Sequence, residues 1–426
     1  MSGFAESRIA VPALGTSEVC VTRRNAASKT LSYSLMLLFI FFLYSQLSRL
    51  APALDVVRPV YTVGGAAILA LVIERASSRR GLDFVSPESY FLAAFVVAAG
   101  FSCIGALWPG YAAENTLELI KMVALYFLIV NCIDSEWQLR GLVWLMVLGG
   151  LFPAVGTLRN YLEGNLQEGR ARWIGIFSNP NELAYSLVVL VPLAACLASD
   201  VRPWKAALLW IIIAVFIAAT CVSFSRGGML GLLAVMVLLG LRSKRFLLRA
   251  LMFVLLAGSV IFIMHGWSRS AGFANLDDDA NVQSRLVTIQ GGLAMFADHP
   301  LSGVGLGCST IAFPLYAPPG TRGRWLIIHN TFVQALSETG LGGFLCFTLL
   351  LGVAIYDARS MARHRPDNAL KETSQLATGL EMSLWGFVIC AMSGGFILTW
   401  FPYLLAALVS SLKNITGRTA SPIFAQ

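Results

Sequence analysis

The 426-residue sequence predicts an all-α polytopic membrane protein with about twelve transmembrane helices. Three observations predict it. Hydrophobic residues make up 57% of the chain and charged residues only 13%, with a mean hydropathy of +0.72. The apolar residues are gathered into long continuous runs rather than alternating ten-residue segments. Basic residues, finally, are dense in every other connection between runs. A water-soluble core cannot hide so much apolar sequence, since a soluble domain carries roughly a quarter charged residues. Inside a bilayer the backbone must satisfy its own hydrogen bonds, which continuous apolar runs do as helices. A lipid-facing barrel would alternate apolar and polar positions.

The runs fall near 31–48, 59–73, 89–107, 115–133, 138–157, 182–199, 205–221, 227–241, 246–264, 330–356, 378–396 and 402–412. Residues 1–30 are polar and mildly basic and lead into an uninterrupted run, without a small-residue cleavage site. They read as a cytoplasmic tail before a retained first helix. The plan is then transmembrane helices 1–9 over 31–264, an extracytoplasmic loop over 265–329, helices 10–12 over 330–413, and a cytoplasmic tail over 414–426. The loop is far longer than any other connection and carries Trp267, Phe273, Phe296, Phe313, Tyr316 and Trp325. An apolar helical stretch near Leu286–Phe296 makes it a folded element with one or two interfacial helices.

Orientation follows from the basic residues, which accumulate in cytoplasmic loops. With the N-terminus inside, twenty of the 31 Lys and Arg residues lie on the cytoplasmic side and ten outside, Lys121 being within a helix. The same rule accounts for the net charge of +8, and no basic stretch has the motif of a nucleic-acid module. The ten outer residues oppose the bias and need another reason. Eight lie in three places: Arg159, Arg170 and Arg172; Arg226; and Arg269, Arg285, Arg322 and Arg324 in the long loop. Arg49 and Arg58 are the remaining two. The eight cysteines form no CxxC pair and lie mostly in apolar runs, so neither a zinc site nor a disulfide framework is expected.

Four segments at the outer helix ends carry candidate chemistry. Arg170–Glu182 contains Asn179-Pro180-Asn181, a helix entry. Ser223–Gly228 places Arg226 at a helix N-terminus, where a cation is awkward unless an anion joins it. Ser284–Gly307 holds Arg285, followed by His299-Pro300 and Gly303, Gly305 and Gly307. This glycine pattern superficially suggests a phosphate-cradling turn but lacks the Lys-Ser/Thr of a P-loop. His329–Gly343 opens the tenth helix with a histidine suited to serve as a base and places Glu338 about 13 Å further in, with Arg226 as its candidate partner. Asp277-Asp278-Asp279 reads as a solvated loop rather than a metal ligand set, and Glu118 and Lys121 as an i,i+3 pair beside Glu114.

The patterns Arg172-x-x-Gly-x-Phe-x-Asn-Pro-Asn181, Ser225-Arg-Gly-Gly228, His299-Pro-x-x-Gly-x-Gly305 and His329-Asn followed by Glu338-x-Gly340 resemble the O-antigen ligase and polymerase superfamily, over residues 165–345. The resemblance implies a GT-C-like, metal-independent, inverting transferase in the bacterial inner membrane, with its active site facing the periplasm. It implies an undecaprenyl-diphosphate-linked glycan as donor, and lipid A core, another glycan or a different acceptor as partner. It gives no role to a cofactor or to nucleic acid. By the same resemblance, the catalytic set is His329, Arg226 and Arg285, and Arg172, Asn181, Asn330 and Glu338 bind substrate. Trp173, Trp267 and Trp325 are sugar platforms or interfacial anchors. The Arg285 and His329 arrangement favours a ligase over a polymerase. A transporter, the competing class, would place polar groups and broken helices at the midplane, often in two related halves; this sequence has them at helix ends, without an internal repeat. A non-catalytic scaffold of envelope assembly is the third reading.

Overall fold

The computed structural model describes residues 16–79, 81–242, 258, 280–321, 323–363 and 371–420. Among these the chain forms α-helices and no strand. They are α1 (Thr16–Ser45), α2 (Leu47–Leu50), α3 (Pro52–Val57), α4 (Pro59–Ser77), α5 (Pro87–Ser102), α6 (Pro109–Cys132), α7 (Glu136–Gly149), α8 (Leu151–Leu162), α9 (Pro180–Val188), α10 (Leu190–Ala198), α11 (Pro203–Val222) and α12 (Arg226–Arg242). They continue with α13 (Ala280–Asp298), α14 (Ser309–Tyr316), α15 (Thr331–Arg363), α16 (Lys371–Ala391) and α17 (Phe401–Ala420). Every expected apolar run except one coincides with a helix or a broken pair of helices. The exception, near 246–264, lies outside the described residues apart from Gly258, as do Trp267, Arg269, Asp277–Asp279 and Arg322.

Local chemistry sets the boundaries. Proline occupies the first turn of α4, α5, α6, α9 and α11, where its missing N–H costs nothing. Ser86 Oγ accepts from the Ser89 amide at 3.1 Å and Asn179 Oδ1 from the Asn181 amide at 2.9 Å, both capping orphan donors. Two spans are broken, at Gly150 between α7 and α8 and at Val189 between α9 and α10. Each break precedes a proline by three residues, Pro153 and Pro192, whose ring removes one helical bond.

Among the described residues six segments are long and apolar enough to cross a membrane: Pro59–Ser77, Pro109–Cys132, Glu136–Leu162, Pro180–Ala198, Pro203–Val222 and Thr331–Arg363. Leu31–Ser45 and Pro87–Ser102 are shorter apolar helices. The inner helices α9, α10, α16 and α17 form the core, including the buried Tyr185, Phe387, Tyr403 and Leu404–Val409. The outer helices turn apolar side chains outward, with Val97 72% and Ile211 61% exposed. Large apolar surface facing out on every side is the mark of a multi-pass membrane protein, whose solvent is lipid.

The two ends of the bundle differ in chemistry. One carries a belt of ion pairs: Arg75 with Asp83 at 3.6 Å, Arg140 with Asp200 at 2.6 Å, Arg242 with Glu381 at 2.9 Å, and Lys413 with Asp357. All four cations belong to the set expected in the cytoplasm. The opposite end gathers the C-termini of α5, α11 and α16 and the N-termini of α9, α12 and α15. The described part of the segment expected as the long loop contains α13 and α14.

Candidate functional site

Arg170 is presented by a tight turn. Glu168 and Gly169 have positive φ, Gln167 and Arg170 exchange backbone hydrogen bonds, and the Ala171 amide donates to Val222 O at 3.1 Å. This last bond ties the segment to the end of α11. Arg170 then donates from Nε to Ser223 O at 3.0 Å and from its guanidinium to Asn181 Oδ1 at 2.8 Å. Ser225 Oγ donates to the same Asn181 oxygen at 2.8 Å, and it accepts from the Gly228 amide at 3.2 Å as the cap of α12. The first two sequence motifs are therefore one hydrogen-bonded unit, with Asn181 as its joint.

Arg226 opens α12 directly after this cap. The two glycines behind it let the helix end approach its neighbours. A Cβ at Gly227 would lie 2.5 Å from Ser393 Oγ, and one at Gly228 would lie 2.4 Å from Ala184 Cβ. Ser393, at the end of α16, also receives a hydrogen bond from Arg285 on α13. One serine thus brings the Arg226 helix start and Arg285 to the same place. Next to them His329 precedes α15, half-buried. Burial first, then the charges of Arg285 and Arg170, hold its pKa below the ordinary 6.5. The imidazole therefore favours its neutral form, which is able to accept a proton.

The glycine-rich segment after His299 does something other than cradle phosphate. A phosphate nest needs its N–H groups directed at the anion. Here Val304 N donates to Ser337 O at 2.9 Å, Gly305 N to Glu338 O at 3.1 Å, Leu306 N to Ser102 Oγ at 3.2 Å and Gly307 N to Glu338 Oε2 at 2.9 Å. The loop is a bracket around a kink in α15, where Gly340 leaves helical geometry at φ 66° and ψ −170°. The Leu341 amide, freed by the kink, donates to Pro300 O at 2.9 Å. The histidine-proline-glycine motif and the Glu338-x-Gly340 motif form a single structural device at the foot of His329.

Glu338 belongs to this bracket. It is buried and accepts from Ser309 Oγ at 2.5 Å, Gly307 N, and the Gln334 amide at 3.2 Å. The expected pairing with Arg226 is corrected: among the described residues no ion pair joins them, because α15 turns the carboxylate toward the glycine loop. Asn330 caps α15, its Oδ1 accepting from Phe332 N at 3.0 Å and Val333 N at 3.1 Å, and its amide donates to Met392 O. Arg172 donates to Ser178 O at 3.3 Å, and its own carbonyl accepts from Asn160. Trp173, partly buried, packs onto Gly156 of α8 and against the core. Trp325 is 63% exposed. Glu118 and Lys121 form the expected pair, at 2.6 Å.

The structure thus gathers Arg226, Arg285, His329 and Asn181, leaves Arg172 on the neighbouring loop, and adds two residues the sequence reading did not select. Arg170 and Arg172 are two positions apart in the same motif, yet Arg170 bonds Ser223 O and Asn181 whereas Arg172 bonds Ser178 O. Ser393 has a faint signal in Ser393-Gly394-Gly395, which interrupts an apolar run at its outer end.

Residues 209–348 match the family model described as O-antigen ligase. The match covers Arg226, Arg285, the glycine bracket and His329–Gly340, and begins after Arg172–Asn181. No curated protein matches the chain.

Proposed function

We propose, from the match of residues 209–348 to the O-antigen ligase family model, that this chain is a membrane glycan transferase of that superfamily. It moves a glycan from undecaprenyl diphosphate to an acceptor at the outer side of the bacterial inner membrane, as an O-antigen ligase-type enzyme of surface-polysaccharide biosynthesis. The observation carrying this reading is the family match over residues 209–348; Ser393 joins the matched Arg285 to the start of α12, and Asn330, next to His329, bonds the adjoining Met392.

In this reaction the acceptor hydroxyl oxygen attacks the anomeric carbon while His329 takes its proton. The anomeric bond to oxygen breaks on the opposite face, and undecaprenyl diphosphate departs with the electron pair, inverting the centre. Arg226 and Arg285 meet the charge growing on the diphosphate, and guanidinium is suited to this as a permanent, planar, bidentate donor. Arg172 adds a contact to the donor. Asn181 positions Arg170, Asn330 positions His329 by capping its helix, and Glu338 positions the same helix through the glycine bracket.

A deletion strain tests the function. Unattached polymer with a full ladder of lengths is the expected profile. Single repeat units on the acceptor would make the protein a polymerase, and glycan retained in the cytoplasm would make it a transporter. The pH profile tests the base. Protonated His329 cannot accept a proton, so transfer by the purified enzyme should fall as pH drops through a midpoint below 6.5. Arg285→Gln removes a positive charge that opposes protonation. The His329 pKa then rises, and the acid limb should move to higher pH, whatever happens to the plateau.

A further inference from the structure

Arg49 and Arg58 are two of the outer basic residues that the transferase site does not use. Both line a cavity of about 680 Å³ between α1, α4 and α6. Among the described residues neither guanidinium has a hydrogen bond or ion pair. The third cation at this cavity, Lys121, is held by Glu118 at 2.6 Å and lies 5.6 Å over the Tyr61 ring. Below this rim the lining is mostly apolar, with Phe39, Ile68, Met122 and Leu125, and Gln46, Glu182 and Thr399 add polar groups. From Pro59 to Ile68 is nine residues of helix, about 14 Å of depth. Gly65 keeps that depth open, since a Cβ there would meet nothing within 4 Å. The other wall is aromatic: Tyr185, Trp400 and Phe401, with ring centroids 5.2 Å apart for Tyr185 and Phe401 and 4.1 Å for Trp400 and Phe401.

We propose that this cavity is a binding site for one anionic phospholipid of the surrounding leaflet, its phosphate on Arg49 and Arg58 and an acyl chain along Ile68 and Met122. Two guanidinium groups at the border between polar and apolar lining match a phosphate that stands at the same border of a bilayer. The apolar depth matches a chain rather than a sugar. The aromatic wall argues for a resident lipid instead of a reacting one. Tyr185 and Phe401 line this cavity, and none of Arg170, Arg226, Arg285 or His329 does. The wall also continues into the site, for Tyr185 stacks on Phe396 at 4.2 Å and the Phe396 amide donates to Thr331 at the start of α15. A lipid filling the cavity therefore supports the segment that carries Ser393.

The test uses the purified full chain in detergent and follows its thermal unfolding midpoint with added phosphatidylglycerol or phosphatidylcholine of identical chains. Phosphatidylglycerol should raise the midpoint saturably, and phosphatidylcholine should require at least about tenfold more lipid for the same rise. The double variant Arg49→Gln, Arg58→Gln and the cavity-filling Gly65→Leu should each weaken the phosphatidylglycerol response at least about tenfold. Arg159→Gln, at an exposed cation of the same end paired with Glu163 at 2.7 Å, should leave it unchanged. Equal responses to the two lipids, or wild-type response in both the double variant and Gly65→Leu, would overturn the proposal. Complete displacement of phosphatidylglycerol by undecaprenyl phosphate would overturn it too, making the cavity a substrate passage; an equal response to glycerol phosphate alone would remove the chain from the site.

Discussion

His329→Ala should lower glycan transfer by the purified enzyme about 10²–10⁴-fold, with unchanged expression and membrane insertion. The size follows from the role. Without an acceptor for its proton, the attacking hydroxyl remains a poor nucleophile, and water in a partly closed site replaces the imidazole badly. The fold should tolerate the change, because His329 lies before α15 and the helix cap is the Asn330 side chain, which the variant keeps. The loss should fall on kcat, since the proton moves only as the transition state forms. Transfer assayed with a lipid-linked donor in vesicles measures it, and unaltered turnover would remove His329 from the mechanism. His299 is the matched control. It bonds Tyr316 at 3.2 Å on the far side of the bracket, and His299→Gln should keep most of the activity.

Gly340→Ala should destabilise the protein by about 3–5 kcal/mol, the sum of backbone strain and overpacking. At φ 66° and ψ −170° the backbone occupies a region open essentially to glycine alone. A Cβ there would also stand 2.3 Å from Leu301 O, with no flexible side chain to give way. The contact is backbone to backbone, so relief requires opening the bracket that seats Val304, Gly305 and Gly307. Gly342→Ala provides the contrast in the same helix. It has open space around it, and alanine should be neutral or stabilise by up to about 1 kcal/mol. Thermal unfolding in detergent, read beside the elution profile, separates the two. A Gly340→Ala variant as stable as the parent would show that the kink is dispensable.

Both predictions involve motifs visible in the sequence, but the sequence discloses them unequally. Helix positions are legible because they depend on composition over twenty residues and on prolines and caps at the ends, all local quantities. The sorting of the chain into two chemically distinct ends is legible as well. Arg75, Arg140, Arg242 and Lys413, expected on one side by charge alone, indeed gather at one end, where carboxylates pair with them. Motif function was harder to read. Glycines spaced like a phosphate loop carry the same letters whether their amides face an anion or a kinked helix, and their direction depends on what lies opposite.

The sequence by itself determined an all-helical membrane protein, the end of the bundle at which its polar motifs cluster, and Arg226, Arg285 and His329 as the residues worth placing together. Hydrophobic periodicity and charge bias suffice for that, since each is summed over a segment and tolerates local error. Only the tertiary structure decided that Arg170 rather than Arg172 bonds Asn181 and Ser223, that Ser393 links Arg285 to the start of α12, and that Glu338 serves the glycine bracket instead of Arg226. Each of those choices turns on a few ångströms between residues far apart in the chain. A guanidinium two positions along reaches a different partner, and distances of that kind are set by how whole helices pack.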